Sequence, residues 1–125
     1  MVFAGPVARA THRHLVRRAS VYVSASRREE YGTAQLEALA DGVPLVTVPS
    51  RGAGEPLALA RQLRPDLVAR DISAASLVPC IRAALAMTPA RRSRYRIASQ
   101  EIMKEYSYDA FKRRLVQHVL PPLLD

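Results

Sequence analysis

Apolar and polar positions fall along the chain in blocks that predict strand and helix in turn. Val2-Phe3-Ala4 reads as a short strand ended by Gly5-Pro6, and residues 11–19 carry helix-compatible spacing ahead of the apolar run Val21-Tyr22-Val23. A second helix opens near Gly32, continues through residues 35–40 and closes at Asp41-Gly42, because glycine accepts the left-handed backbone of a helix C-terminus. Residues 44–48 form a continuous apolar run bounded by Gly42 and Pro49, the pattern of a strand covered on both faces. A third helix begins near Pro56, whose fixed φ suits a first turn, and runs to Leu63. Residues 66–70 read as another short strand. Asp71 or Ser73 then opens a helix to Met87, in which Pro79 is tolerated if Ser76 is the cap. Thr88-Pro89, a cap followed by proline, starts a helix to about Glu105, and residues 106–108 break it. The last helix, about 109–120, is stopped by Pro121-Pro122.

Strands alternating with helices of this length imply parallel strands joined by right-handed crossovers. The expected class is α/β, a Rossmann-like parallel sheet with flanking helices. Ligands of such sheets bind where the loops leave the carboxyl ends of the strands. The 125 residues have room for one domain, 1–125. No apolar run approaches the roughly 20 residues that span a bilayer. The N-terminus lacks the charged-then-apolar order of a secretory signal, and one cysteine, Cys80, allows no internal disulfide; both fit a cytoplasmic protein.

Two loops leave consecutive strands of this scheme, and they carry the candidate chemistry. In the first, Glu29 stands outside a helix entered through Tyr31-Gly32-Thr33, and Glu37 lies about 6 Å further along that helix. Free backbone N–H groups and the positive end of the helix dipole at Gly32 and Thr33 suit a phosphate. Glu29 can accept hydrogen bonds from sugar hydroxyls, and Glu37 can bridge vicinal ribose hydroxyls. The other reading of two glutamates around a helix start is a capping and dipole arrangement. The second loop, Gly52-Ala53-Gly54-Glu55, is a flexible turn ending in a third carboxylate.

A net charge of +8 calls for something anionic, which a phosphorylated ligand, nucleic acid or an acidic membrane face could each supply. The excess lies in three groups: Arg9, Arg13, Arg17 and Arg18; Arg91, Arg92, Arg94 and Arg96; Lys112, Arg113 and Arg114. The alternative is that these are the solvated faces of amphipathic helices. No aromatic residues interleave with them, and no nucleic-acid motif is present, so nucleic acid is not the expected partner.

The order strand, E-x7-E, A-x-A-x-G-x-P, strand, G-x-G-E resembles the C-terminal, donor-binding domain of retaining GT-B glycosyltransferases, the large group that includes sucrose and glycogen synthases. Its hallmark is similar to P-S-x-x-E-G-F-G-L-x-x-x-E-A-M-A-x-G-x-P-V-V followed by G-G-x-x-E. Ser24-Ala25-Ser26 stands at the Pro-Ser position, Glu29-Glu30-Tyr31-Gly32-Thr33 at E-G-F-G-L, Glu37-Ala38-Leu39-Ala40 at E-A-M-A, and Gly42-Val43-Pro44-Leu45-Val46 at G-x-P-V-V. Val2-Phe3-Ala4-Gly5 resembles the V-x-F-x-G strand, and Tyr106-Ser107-Tyr108 the break before the final helix. Three positions depart from the pattern: Glu30 replaces a glycine, Thr33 replaces leucine, and Gly52-Ala53-Gly54-Glu55 alters the glycine turn.

The resemblance implies a partial GT-B C-terminal domain and transfer of a hexose, with retention, from a UDP-, GDP- or ADP-sugar to an acceptor hydroxyl, with no metal or other cofactor expected. Glu29 is then the catalytic-site residue holding sugar hydroxyls, Gly32 and Thr33 hold the distal phosphate, and Glu37 holds the ribose. The leaving phosphate takes the acceptor's proton, so His12, His14 and His118 are expected to be surface or core residues. The resembled domain begins upstream of V-x-F-x-G with an Arg and a Lys that clamp the diphosphate, and an acceptor domain precedes it. The expectation is therefore an N-terminally truncated unit, weak or inactive alone. Its partners would be a nucleotide-sugar donor and an acceptor domain, a partner chain, or a second copy across an exposed edge at residues 2–4; a peripheral membrane contact is compatible with the charge. The alternative function is a non-catalytic Rossmann-like binding module for an anionic polymer or a partner protein.

Overall fold

The computed structural model describes residues 1–52 and 54–124. Helix α1 (Arg9–Arg18) leads to β1 (Tyr22–Ser24), β2 (Arg28–Glu29) and α2 (Thr33–Ala40). Strands β3 (Leu45–Thr47) and β4 (Arg51–Gly52) and helix α3 (Gly54–Leu63) follow, then a 3₁₀ turn (Pro65–Leu67). Helices α4 (Ala74–Leu85), α5 (Pro89–Met103), α6 (Tyr108–Arg114) and α7 (Leu120–Leu124) complete the order, with a 3₁₀ turn at Lys104–Tyr106 and a π-helical turn at Leu115–Val119. The architecture is mixed α/β, mostly helical, with two parallel two-stranded sheets, β1 with β3 and β2 with β4.

β3 is the centre of the core. All three of its residues are buried, as the apolar run 44–48 predicts for a strand covered on both faces. Leu36 and Leu39 of α2, Leu59 of α3, Leu67, and Ala84 of α4 pack in the same cluster as Leu45 and Val46. Helix α5 is tied to this layer by polar contacts that the apolar pattern does not reveal. The Leu45 N–H donates to the Tyr95 hydroxyl at 3.1 Å, and Ser99 donates to the Leu39 carbonyl. Burial pushes the Tyr95 phenol pKa up. Gly42, at φ 71, lies directly under Arg96 of α5, whose side chain and Cα a Cβ at position 42 would meet at or inside contact distance.

Four sequence expectations change. Residues 2–4 are exposed and form no strand, because a short apolar segment becomes a strand only where a neighbour pairs with it; among the described residues β1 pairs with β3 alone and takes no partner from residues 2–4. The strand expected at 66–70 reduces to a 3₁₀ turn and a single parallel bridge, Thr47 to Val68, since Pro65 fixes φ and Asp66 is held by Arg64. Helix α4 is capped by Ser73, which accepts from the Ser76 N–H, so Pro79 sits inside the helix rather than in its first turn. Pro79 and Ala75 are both exposed, which leaves the Ala75 carbonyl that loses its partner open to water. Pro121 and Pro122 do not stop the last helix. The π-helical turn just before them widens the backbone, and α7 then accommodates both rings in its opening turn.

No helix among the described residues is long and apolar enough to cross a membrane. Gly42→Ala should cost about 2–4 kcal/mol, from left-handed strain plus displacement of α5. A thermal melt would then show a fall of roughly 6–16 °C, scaled to a chain of this size.

Candidate functional site

The sequence places Glu29 and the glycine turn on separate loops; the structure joins them. β2 and β4 pair in parallel, with Arg28 opposite Arg51 and Glu29 opposite Gly52. Gly52 has φ 102, and a Cβ there would overlap the Glu29 carbonyl oxygen, so the close approach of the two loops depends on glycine at this position. No apolar alternation marks these two-residue strands, which is why pattern reading missed them.

Gly32 ends this ribbon at the start of α2. Its φ of 77 is left-handed, and a Cβ would stand 2.6 Å from Pro56 Cγ and 3.5 Å from Glu29 Cγ. The Glu29 side chain, the start of α2 and the first turn of α3 therefore meet at one buried glycine. Gly32 provides no side-chain cap, and the first turn of α2 holds no acidic residue. Glu29 and Glu37 thus do not serve as a capping box, and the helix-start N–H groups are left to backbone, water or ligand partners. Thr33 is exposed in that first turn. Gln35 is buried and donates to Ser24 Oγ at 3.1 Å, which ties α2 to the carboxyl end of β1.

Glu37 is engaged from the opposite side. Arg9 Nη2 lies 3.5 Å from Glu37 Oε1, and Arg13 Nη1 lies 3.8 Å from Glu37 Oε2. Arg13 also reaches Asp41 Oδ1 at 2.8 Å, joined there by Arg17 Nε at 3.2 Å. Arg9, Arg13 and Arg17 recur every four residues along α1, and Glu37 and Asp41 do the same along α2, so the two helices mate through a ladder of charge. These arginines are not simply a wet helix face. The matching spacings of 9, 13 and 17 against 37 and 41 were the available signal. The Asp41 side chain is only 9% exposed, and its Oδ2 is buried without a hydrogen-bond partner among the described residues.

Both glutamates act on one phenol. Tyr22 of β1 has its pKa raised first by burial and then by the negative charges of Glu29 and Glu37. Thr33 and Glu37 share the wall of a cavity of about 260 Å³ with Tyr31, Leu36, Met103 and Tyr106. Beside it lies a cavity of about 460 Å³ bounded by Tyr31, Glu55, Tyr106, Tyr108, Phe111 and Arg114 among others. Tyr106 donates to Glu55 Oε2 at 2.6 Å, joining the break before α6 to the end of the glycine turn. That bond, with smaller contributions from burial and the Glu55 charge, pushes the Tyr106 pKa up to about 12. Ala53, in the glycine turn, lies outside the described residues.

A family model described as "Family 4 Glycosyltransferase in conflict systems" matches residues 7–115. No curated protein and no solved structure matches the chain.

Two predictions follow from the geometry. Arg13→Ala leaves the nearly buried Asp41 carboxylate undercompensated and should destabilise by about 2–3 kcal/mol in a denaturant titration, whereas Arg9→Ala, at an exposed pair, should change stability by less than about 1 kcal/mol. In an ultraviolet titration, the difference between the parent chain and Tyr106→Phe should isolate a phenol ionising near pH 12, and Glu55→Gln should bring that ionisation down. Because the folded-state value is raised above the ordinary 10, the contribution of this contact is full below pH 10 and is lost as pH climbs from 10 towards 12.

Proposed function

The chain belongs to the family 4 glycosyltransferases of conflict systems, and from that premise we propose that residues 1–125 carry the nucleotide-sugar half-site of a retaining, GT-B-type donor domain. In this reading the described α/β arrangement is part of a Rossmann-like sheet, and the reaction is hexose transfer from a nucleotide diphosphate sugar to an acceptor hydroxyl. The observation that carries it is the juxtaposition at Gly32. A carboxylate, Glu29, and an uncapped helix start meet at one glycine whose Cβ has no room, and a second carboxylate, Glu37, follows one turn later.

Each group has a role that its chemistry supports. The α2 N–H groups at Gly32 and Thr33 supply preorganised donors to the distal phosphate, stabilising negative charge as the glycosyl bond breaks. Glu29 holds hydroxyls of the transferred sugar and fixes the ring relative to the diphosphate. Glu37 accepts from the ribose hydroxyls, with Arg9 and Arg13 holding its carboxylate from behind. The departing phosphate oxygen receives the acceptor's proton, so no further base is required. Acceptor binding is assigned to a second unit, a further domain or a partner chain, and turnover by these residues alone is accordingly weak.

Calorimetric titration with UDP, GDP, UDP-glucose and GDP-mannose tests the reading. One nucleotide series should bind, and Glu37→Ala should weaken it about 10- to 100-fold, the loss expected of hydrogen bonds to a charged acceptor. Binding that is indifferent to both Glu37→Ala and Glu29→Ala, or robust transfer by the chain alone, would overturn the assignment.

A further inference from the structure

Three arginines gather around a cavity that lies apart from the mouth just described. Leu63, Arg64, Arg91, Arg94, Tyr95 and Ala98 line an open cavity of about 420 Å³ between the end of α3 and the first half of α5. Tyr95 accepts from the N–H of Leu45, the first residue of β3, and Arg64 precedes the segment that bridges to Thr47. The cavity therefore lies towards the amino ends of the parallel strands, whereas Glu29 and Gly32 follow their carboxyl ends.

Its charges are unevenly paired. Arg64 grips Asp66 in a two-pronged ion pair, Nε to Oδ1 at 2.7 Å and Nη2 to Oδ2 at 2.5 Å, which holds the Asp66 carboxyl below the usual range and fixes the guanidinium in place. That fork uses two of the five N–H donors of Arg64. Arg91 and Arg94 have no acidic group within ion-pair distance among the described residues. They stand one turn apart on α5, where like charges repel. Arg91 also falls in the first turn of α5, a turn without acidic residues, where its charge opposes the helix dipole. By contrast, Arg92, on the same helix, donates to the carbonyls of Ser20, Ala84 and Leu85. Arg91 also acts on the Asp66 charge, but three guanidinium groups against this one carboxylate leave an excess of positive charge at the cavity, which a single dianion would relieve.

We propose that Arg64, Arg91 and Arg94 form a binding site for a small ligand bearing a terminal phosphate, separate from the donor half-site. Arg91 and Arg94 provide the variable contacts, and Arg64, locked by Asp66, provides a preset planar donor. The cavity volume admits a phosphate with a modest attached group, and Leu63 and Ala98 offer apolar contact beside the arginines.

The test is a titration of the full chain with sodium pyrophosphate, followed by amide chemical shifts, with inorganic phosphate and a mixed-sequence single-stranded oligonucleotide as parallel probes. Pyrophosphate should give saturable shifts at Arg64, Arg91 and Arg94, at least tenfold weaker in the double variant Arg91→Ala, Arg94→Ala. A charge-matched control, Arg70→Ala with Arg82→Ala, should bind as the parent does. Both parent residues are surface-exposed, and a thermal melt establishes that the variants are folded. Equal weakening in the two double variants would reduce the effect to net charge and overturn the proposal. So would shifts confined to Gly32 and Thr33, no saturation, or binding of the oligonucleotide through Arg91 and Arg94 without binding of pyrophosphate.

Discussion

The position of α2 rests on a glycine at each end, and most of what surrounds it depends on that position. At Gly32 and Gly42 the backbone takes left-handed φ values of 77 and 71, and each site is crossed by a neighbour that leaves no room for a Cβ: Pro56 at one end, Arg96 at the other. Glycine here is required on two independent grounds, torsion and space. With both ends fixed, the buried face of α2 meets β3 and α5, its charged face meets α1, and its first turn opens between Glu29 and the start of α3. A helix of eight residues would be marginal on propensity alone; its stability comes from being held on every side.

Electrostatics divides the molecule differently from packing. Seven of the 11 acidic residues are engaged: Glu37 and Asp41 by α1, Asp66 by Arg64, Asp71 by Arg70, Glu101 by Lys104, Glu105 by Arg114 and Glu55 by Tyr106. The arginines outnumber them, so each acid is a place where basic charge is neutralised, and the remaining basic groups define where an anion adds most. The ladder between α1 and α2 commits Arg9, Arg13 and Arg17 to holding two helices together, with Arg13 the most buried of the three. At the first half of α5, three arginines gather around a hollow with one carboxylate, Asp66, beside them.

The sequence carried the helices well and the small strands poorly, for a physical reason. Helices of ten or more residues repeat their period several times, and Thr88-Pro89 and Asp41-Gly42 mark ends by backbone chemistry that any context preserves. A two-residue strand has no period to read, so β2 and β4 became visible only as a pair, through the glycine that lets Glu29 and position 52 touch. Residues 2–4 illustrate the reverse: an apolar run, Val-Phe-Ala, that looks like a strand yet pairs with none of the described residues. At the candidate site, the spacing of Glu29, Gly32 and Glu37 was legible. The tyrosine that feels both carboxylates and the Tyr106 bridge to Glu55 were not, because those contacts join segments distant in sequence by tertiary packing, and the arginines behind Glu37 left only the matched four-residue spacings of two helices.

The two sheets share one numerical property. Tyr22 faces Leu45 and Arg28 faces Arg51, each pair 23 positions apart, so a single βαβ span sets both registers. Side chains in that span can be exchanged with only local effects, but its length cannot. One residue inserted into α2 would have to be absorbed in both pairings at once, would turn Glu37 by about 100° about the helix axis away from Arg13, and would alternate the faces of β3. Across descendants of this chain, the stretch from Glu29 to Leu45 is therefore one in which substitutions can accumulate while insertions and deletions are purged, so its length should vary less than its composition.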